Sequence, residues 1–237
     1  MGRYPRNPGG ARLVGLLLAC LLGIGGCGLV VDDGGGTAGG GASPPSGGVE
    51  ELREDVDTAV NSTDKFWSRH WSELFTGTYV SPRVHGFYDG DNPAAGPFCG
   101  PQPPVRLNAF YCPAEDLLAW DVNLMTMLFV EGGDASVYLV VAHEWGHAVQ
   151  QRLSEDLVTL DAELQADCLA GASLFGSARD GVIQFEQGDQ EELARVLAAL
   201  SDRTPWTNVG DHGSASQRIG SFARGGRDGV EACLPTR

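Results

Sequence analysis

The chain has 237 residues, 42% of them hydrophobic and 20% charged, which is enough for one sizeable core and argues against a wholly disordered chain or a string of domains. Sixteen basic residues face 31 acidic ones, for a net charge of −15. Three of the basic residues, Arg3, Arg6 and Arg12, fall in an N-terminal segment that reads as removable. So acidic a surface is repelled by phosphate backbones, and no nucleic-acid partner is expected.

Residues 1–26 read as a signal peptide, with a positive head ending at Arg12 and an apolar run opening on Leu13-Val14-Gly15-Leu16-Leu17-Leu18-Ala19. The Ile24-Gly25-Gly26-Cys27 stretch resembles the lipobox of bacterial lipoproteins, which makes Cys27 the lipidated residue. Leu17-Leu18-Ala19-Cys20 is a competing lipobox. An uncleaved signal anchor is a third reading, because the 19 residues 13–31 approach a bilayer span. In each case the remainder is exported, and the expected location is the extracytoplasmic face of the cell membrane, lipid-anchored or secreted. Residues 27–48 form a tether. Its last 17 residues contain eight glycines and two prolines and have nothing to bury. The folded domain is expected over residues 49–237.

Residues 50–75 have helical periodicity, with Val56, Val60, Phe66, Trp67, Trp71, Leu74 and Phe75 at spacings of three and four. Pro82, Pro93, Pro97, Pro101 and the Pro103-Pro104 pair then interrupt regular structure, and residues 105–107 and 117–120 are the strand candidates. From Asp134 onward helical patterning dominates. Capping-box signals mark helix starts at Asp189 with Glu192 and at Ser214 with Gln217.

The chemistry concentrates in His143-Glu144-Trp145-Gly146-His147, set within an apolar run. Positions i and i+4 stack on one helix face, so both imidazoles can reach one Zn²⁺ while Glu144 flanks it. A catalytic zinc usually has three protein ligands, so a third must be found. The metzincin pattern would place a histidine at position 153, which is Leu153, and that subclass is rejected.

Downstream, Glu163-Leu164-Gln165-Ala166-Asp167 puts two carboxylates one helical turn apart. This spacing resembles that of gluzincins such as thermolysin. The resemblance implies Glu163 as the third zinc ligand and Asp167 as support for a ligand histidine, accepting the ring N–H of His143 or His147. Asp161 and Glu155 are the competing ligands.

Several segments in order resemble a bacterial family of neutral zinc metallopeptidases: Ala109-Phe110-Tyr111-Cys112-Pro113-Ala114-Glu115-Asp116; the metal helix continuing through Ala148-Val149-Gln150; Glu163 to Gly171; and His212-Gly213-Ser214-Ala215-Ser216-Gln217-Arg218. The resemblance implies a zincin-like α+β fold of gluzincin type, mostly helical with a small sheet. It also implies one Zn²⁺ per chain and hydrolysis of a peptide or protein substrate. In that chemistry Glu144 is the general base for a zinc-activated water and later the acid for the leaving amine. His212 is the leading candidate for a second oxyanion donor, with a turn or packing histidine as its alternative; Tyr111 and Tyr138 are weaker candidates. Residues 117–122 are read as the edge strand that pairs with an extended substrate, with a structural role as the alternative for Asp121.

Four cysteines follow the tether. Cys99 with Cys112 would close the proline-rich loop, and Cys168 with Cys233 would pin the C-terminal segment to the second metal helix. Export favours oxidation, and a site served by His143, His147 and Glu163 has no need of thiolates. Two other classes of function stand beside the peptidase: an inactive zincin-fold module that binds a partner at the cell surface, and a structural lipoprotein with core histidines. The second would bury uncompensated polar groups.

Overall fold

The computed structural model describes residues 46–159, 161–201 and 213–236. The signal peptide, Cys20, Cys27 and His212 lie outside the described residues.

The first helix, α1 (Ser46–Leu74), opens inside the stretch read as tether. It buries Leu52, Val56, Ala59, Phe66, Trp67 and Trp71 on one face, the stripe its periodicity announced. A three-stranded sheet follows: β1 (Arg83–Tyr88), β2 (Ala109–Cys112) and β3 (Leu117–Asp121). Its order is β1-β3-β2, with β1 parallel and β2 antiparallel to β3.

Two expectations are corrected here. Residues 105–107 are not a strand: Leu107 has φ of 54°, and its N–H donates to the buried carboxylate of Asp121 at 2.5 Å. Nor is the segment from Leu117 an edge strand, since β3 lies in the middle of the sheet with all five residues buried. It also ends at Asp121, because Val122 begins α2 (Val122–Gly132). Asp121 is structural: its carboxylate accepts from the Asn123 N–H at the helix start at 3.0 Å and from the Gly90 N–H at 3.3 Å. β1 carried no expectation from sequence.

Among the described residues four more α-helices follow: α3 (Asp134–Gln150), α4 (Ala162–Arg179), α5 (Asp189–Ala199) and α6 (Ala215–Asp228). α3 is apolar around most of its circumference and buried along nearly its whole length, as befits a central helix. α6 begins with the expected capping box, Ser214 with Gln217. At α5 the box is absent. Gly188, with φ of 118°, is the N-cap, and the Asp189 carboxylate instead accepts from the Glu186 N–H at 2.7 Å.

α4 and α6 touch backbone to backbone. A Cβ on Gly225 would run into the Cys168 carbonyl, and one on Gly171 into the Phe222 carbonyl. Both expected cysteine pairs are joined, Cys99 with Cys112 and Cys168 with Cys233. Among the described residues no helix is long and apolar enough to cross a membrane.

Candidate metal centre

The intervening residues of the His143–His147 motif explain why α3 sits where it does. Trp145 is buried and its indole N–H donates to the Tyr79 hydroxyl at 2.8 Å; Tyr79 in turn donates to Asp64 of α1 at 3.0 Å. Gly146 faces α4, where a Cβ would come within 2.8 Å of the Ala166 carbonyl. One side of the motif is thus pinned to α1 and another admits α4, which leaves both histidines facing the same cleft.

In that cleft His143 Nε2 and His147 Nε2 each lie 3.3 Å from a different oxygen of Glu163. The donor atoms of the three residues all fall within 4.8 Å of one another. Neither Glu155 nor Asp161 belongs to this group. The opposite ring nitrogens are already committed: His143 Nδ1 to Asp167 Oδ1 at 2.8 Å, and His147 Nδ1 to Gln150 Oε1 at 2.9 Å. Two imidazoles whose Nε2 atoms converge on one carboxylate match the His₂Glu set that catalytic zinc uses, and each ring is oriented from behind. The residues present fit the ion.

Asp167 is fully buried, and Arg218 of α6, 4% exposed, meets it side-on. Arg218 Nε donates to Oδ2 at 2.8 Å and Nη2 to Oδ1 at 2.7 Å, while Nη1 donates to the Leu200 carbonyl at 2.6 Å. Burial alone would raise the Asp167 pKa, but Arg218 and His143 outweigh it and hold the carboxyl below its usual range. Burial likewise opposes charge on His143, yet the neighbouring Asp167 carboxylate prevails and raises the imidazole above its ordinary value.

The cleft has a volume of about 900 Å³ and is lined by His143, Glu144, His147 and Glu163 together with apolar groups such as Leu124, Leu139, Val140 and Val158. β2 forms one wall, from Ala109 to Tyr111. The Asp121 N–H donates to the Asn108 carbonyl at 2.8 Å, so residues 108, 110 and 112 bond toward β3. The main-chain groups of Ala109 and Tyr111 therefore point to the outer edge, which ends at Pro113, a residue with no N–H. The sheet edge beside the cleft, foreseen at residues 117–122, belongs instead to β2.

Tyr111 lines the cleft, but its hydroxyl donates to Asp116 at 2.8 Å. Tyr138 is not brought to the site. It lines a separate cavity with Asp55, Asp134 and Asp189. Two residues of the site had no role assigned from sequence, Gln150 and Arg218, although both stand inside motifs already singled out. For Gln150 the available signal was its place three residues past His147, on the same helix face. Arg218 offered none, since its partners come from α4 and from the end of α5.

The α+β fold brings two helix-borne imidazoles and a carboxylate together in a cleft, a group that could hold a metal ion. The family model described as "Putative neutral zinc metallopeptidase" matches residues 7–235, and the chain belongs to that family. It is 27% identical over 204 residues to "Uncharacterized protein YpfJ" of Escherichia coli strain K12, covering 74% of this chain and 68% of the relative. It is 30% identical over 190 residues to "Uncharacterized protein Rv2575" of Mycobacterium tuberculosis strain H37Rv, covering 67% of this chain and 63% of the relative. No solved structure matches the chain.

Proposed function

We propose that the protein is an exported, membrane-tethered zinc endopeptidase of the zincin-like, gluzincin type, with His143, His147 and Glu163 as zinc ligands. The observation that carries this reading is the convergence of both Nε2 atoms on Glu163, with Glu144 lining the same cleft. When bound there, zinc supplies Lewis-acid polarisation of a water and of the scissile carbonyl. Glu144 takes the water's proton and later passes it to the departing amide nitrogen, which becomes a free amine. The outer edge of β2 offers the N–H and C=O groups of Ala109 and Tyr111 to an extended substrate segment, so the polypeptide backbone is held beside Glu144. His212 is the proposed oxyanion donor. Export and tethering rest on the signal peptide, the Cys27 lipobox and the glycine-rich stretch that follows it.

Glu144→Gln tests the reading. Wild type and variant should both hold about one zinc per chain, and chelator-sensitive cleavage of an unfolded protein should fall by at least about 10²-fold in the variant. Stoichiometric zinc without cleavage in the wild type would favour the partner-binding module. Absence of zinc from the wild type would overturn the reading altogether.

A further inference from the structure

The two imidazoles of the metal centre are held from behind by different chemistry. His143 is backed by an ionised carboxylate, Asp167, whereas His147 is backed by a neutral amide, Gln150. That amide belongs to a chain of contacts that fixes its orientation. Gln150 Nε2 donates to the Ala162 carbonyl at 2.7 Å and to Gln165 Oε1 at 3.1 Å. A backbone carbonyl only accepts, so the atom facing Ala162 is the amide nitrogen and the atom facing His147 is the oxygen. Gln165 is fixed in the same way. Its Nε2 donates to the Leu157 carbonyl at 2.7 Å and the Cys233 carbonyl at 3.1 Å, and its Oε1 also accepts from the Thr159 N–H at 3.1 Å. Both hydrogens of each amide are used and both oxygens are engaged. Gln165 is 2% exposed. A buried network so fully satisfied admits one arrangement, and that arrangement accepts only an N–H from His147 Nδ1.

We propose that Gln150 is a positioning residue for the metal centre, with Gln165 as its anchor. Acting through His147, it commits that ring to the Nδ1–H form and leaves Nε2 as the ligand atom. The inference rests on the zinc-peptidase reading above and adds to it a residue that donates nothing to the metal. The relay also joins His147 to the 157–159 segment, whose Val158 and Thr159 line the cleft, and to Cys233 at the end of the domain. A carboxylate at position 150 would not substitute for the amide. It would still accept from His147, but its second oxygen would oppose two acceptors, the Ala162 carbonyl and Gln165 Oε1.

The test is zinc competition against a chromophoric chelator on the full chain, comparing wild type with Gln150→Leu, Gln150→Glu, Gln165→Leu and Glu163→Gln. Zinc affinity should drop about 10- to 100-fold in Gln150→Leu. Gln150→Glu should not rescue it, and Gln165→Leu should move it in the same direction by less. Nitrogen-15 NMR of the zinc-loaded wild type should show a slowly exchanging proton on His147 Nδ1. In Gln150→Leu that proton should exchange fast while the His143 signal stays unchanged. Affinity within twofold of wild type in Gln150→Leu, full rescue by Gln150→Glu, or a His147 Nδ1 without a bound proton would overturn the positioning role. The last of these is read on the wild type and needs no folded variant. Failure of the wild type to bind zinc, or indifference to Glu163→Gln, would instead overturn the ligand set on which the inference stands.

Discussion

Arg218 clasps Asp167 through two hydrogen bonds of 2.7 and 2.8 Å, with Asp167 fully buried and Arg218 nearly so. Removing the charge of one partner leaves the other buried and unpaired, which costs about 3–5 kcal/mol. Asp167→Asn should therefore lower the unfolding free energy by about that much. Arg218→Lys keeps the charge but loses the planar fork, and should cost less, about 1–3 kcal/mol. Urea unfolding in the presence of a chelator isolates this effect from that of bound zinc. Equal stability of Asp167→Asn and wild type would mean that the pair does not hold α4 to α6.

The contact between Gly225 and the Cys168 carbonyl predicts an opposite response at two glycines of one helix. Gly225→Ala should push α6 off α4 and destabilise by about 1–3 kcal/mol or more. Gly220→Ala meets nothing within 4 Å and should be neutral or stabilising by about 0.5–1 kcal/mol. Urea midpoints of the two variants, read against wild type, decide the matter. Because Arg218 rides on α6, Gly225→Ala should also weaken the hold on Asp167.

At the far side of the domain His70 of α1 joins α4 through its end. Its Nδ1 lies 2.8 Å from Glu73 and its Nε2 lies 2.8 Å from Asp180, an arrangement that only the imidazolium satisfies in full. Burial works against that charge, but the bonds to Glu73 and Asp180 outweigh it and raise the pKa. A raised folded-state value stabilises the protein fully below the unfolded-state value of about 6.5, and the benefit fades as pH climbs through the folded-state value. His70→Asn should therefore be more damaging at pH 5.5 than at pH 9. Thermal unfolding of both proteins at the two pH values checks this, and an equal or reversed gap would show that the pair contributes no proton-linked stability.

The candidate metal ligands were legible in the sequence because their spacing is local. His143 and His147 share a helix face by the period of the helix alone, and Glu163 and Asp167 do so one helix later. α1 and the capping box at Ser214 were readable for the same reason. The pairing of the sheet was not, because β1 and β3 pair in parallel across residues 89–116, which include β2, and nothing in residues 83–88 announces a partner. The edge strand was misplaced because centrality in a sheet depends on that same distant pairing. Arg218 escaped notice because a buried guanidinium is defined only by what other elements bring to it. Leu107 deceived because its N–H is taken by a carboxylate of another element, Asp121 of β3; at Asp189 the helix start was legible and only its capping bond differs, the carboxylate accepting from the Glu186 N–H.

The bond between Cys168 and Cys233 spans a sequence separation of 65, and within that covalent ring lie α5, α6 and Arg218. In the chain-entropy account a ring of this size stabilises the fold by about 4 kcal/mol. It also gives the molecule tolerance of backbone cleavage. One cut by any protease between the two cysteines opens the ring but releases no fragment, and the piece bearing Arg218 stays tethered beside Asp167. Such a nicked molecule would run as an intact chain on a non-reducing gel and fall into two pieces only after reduction.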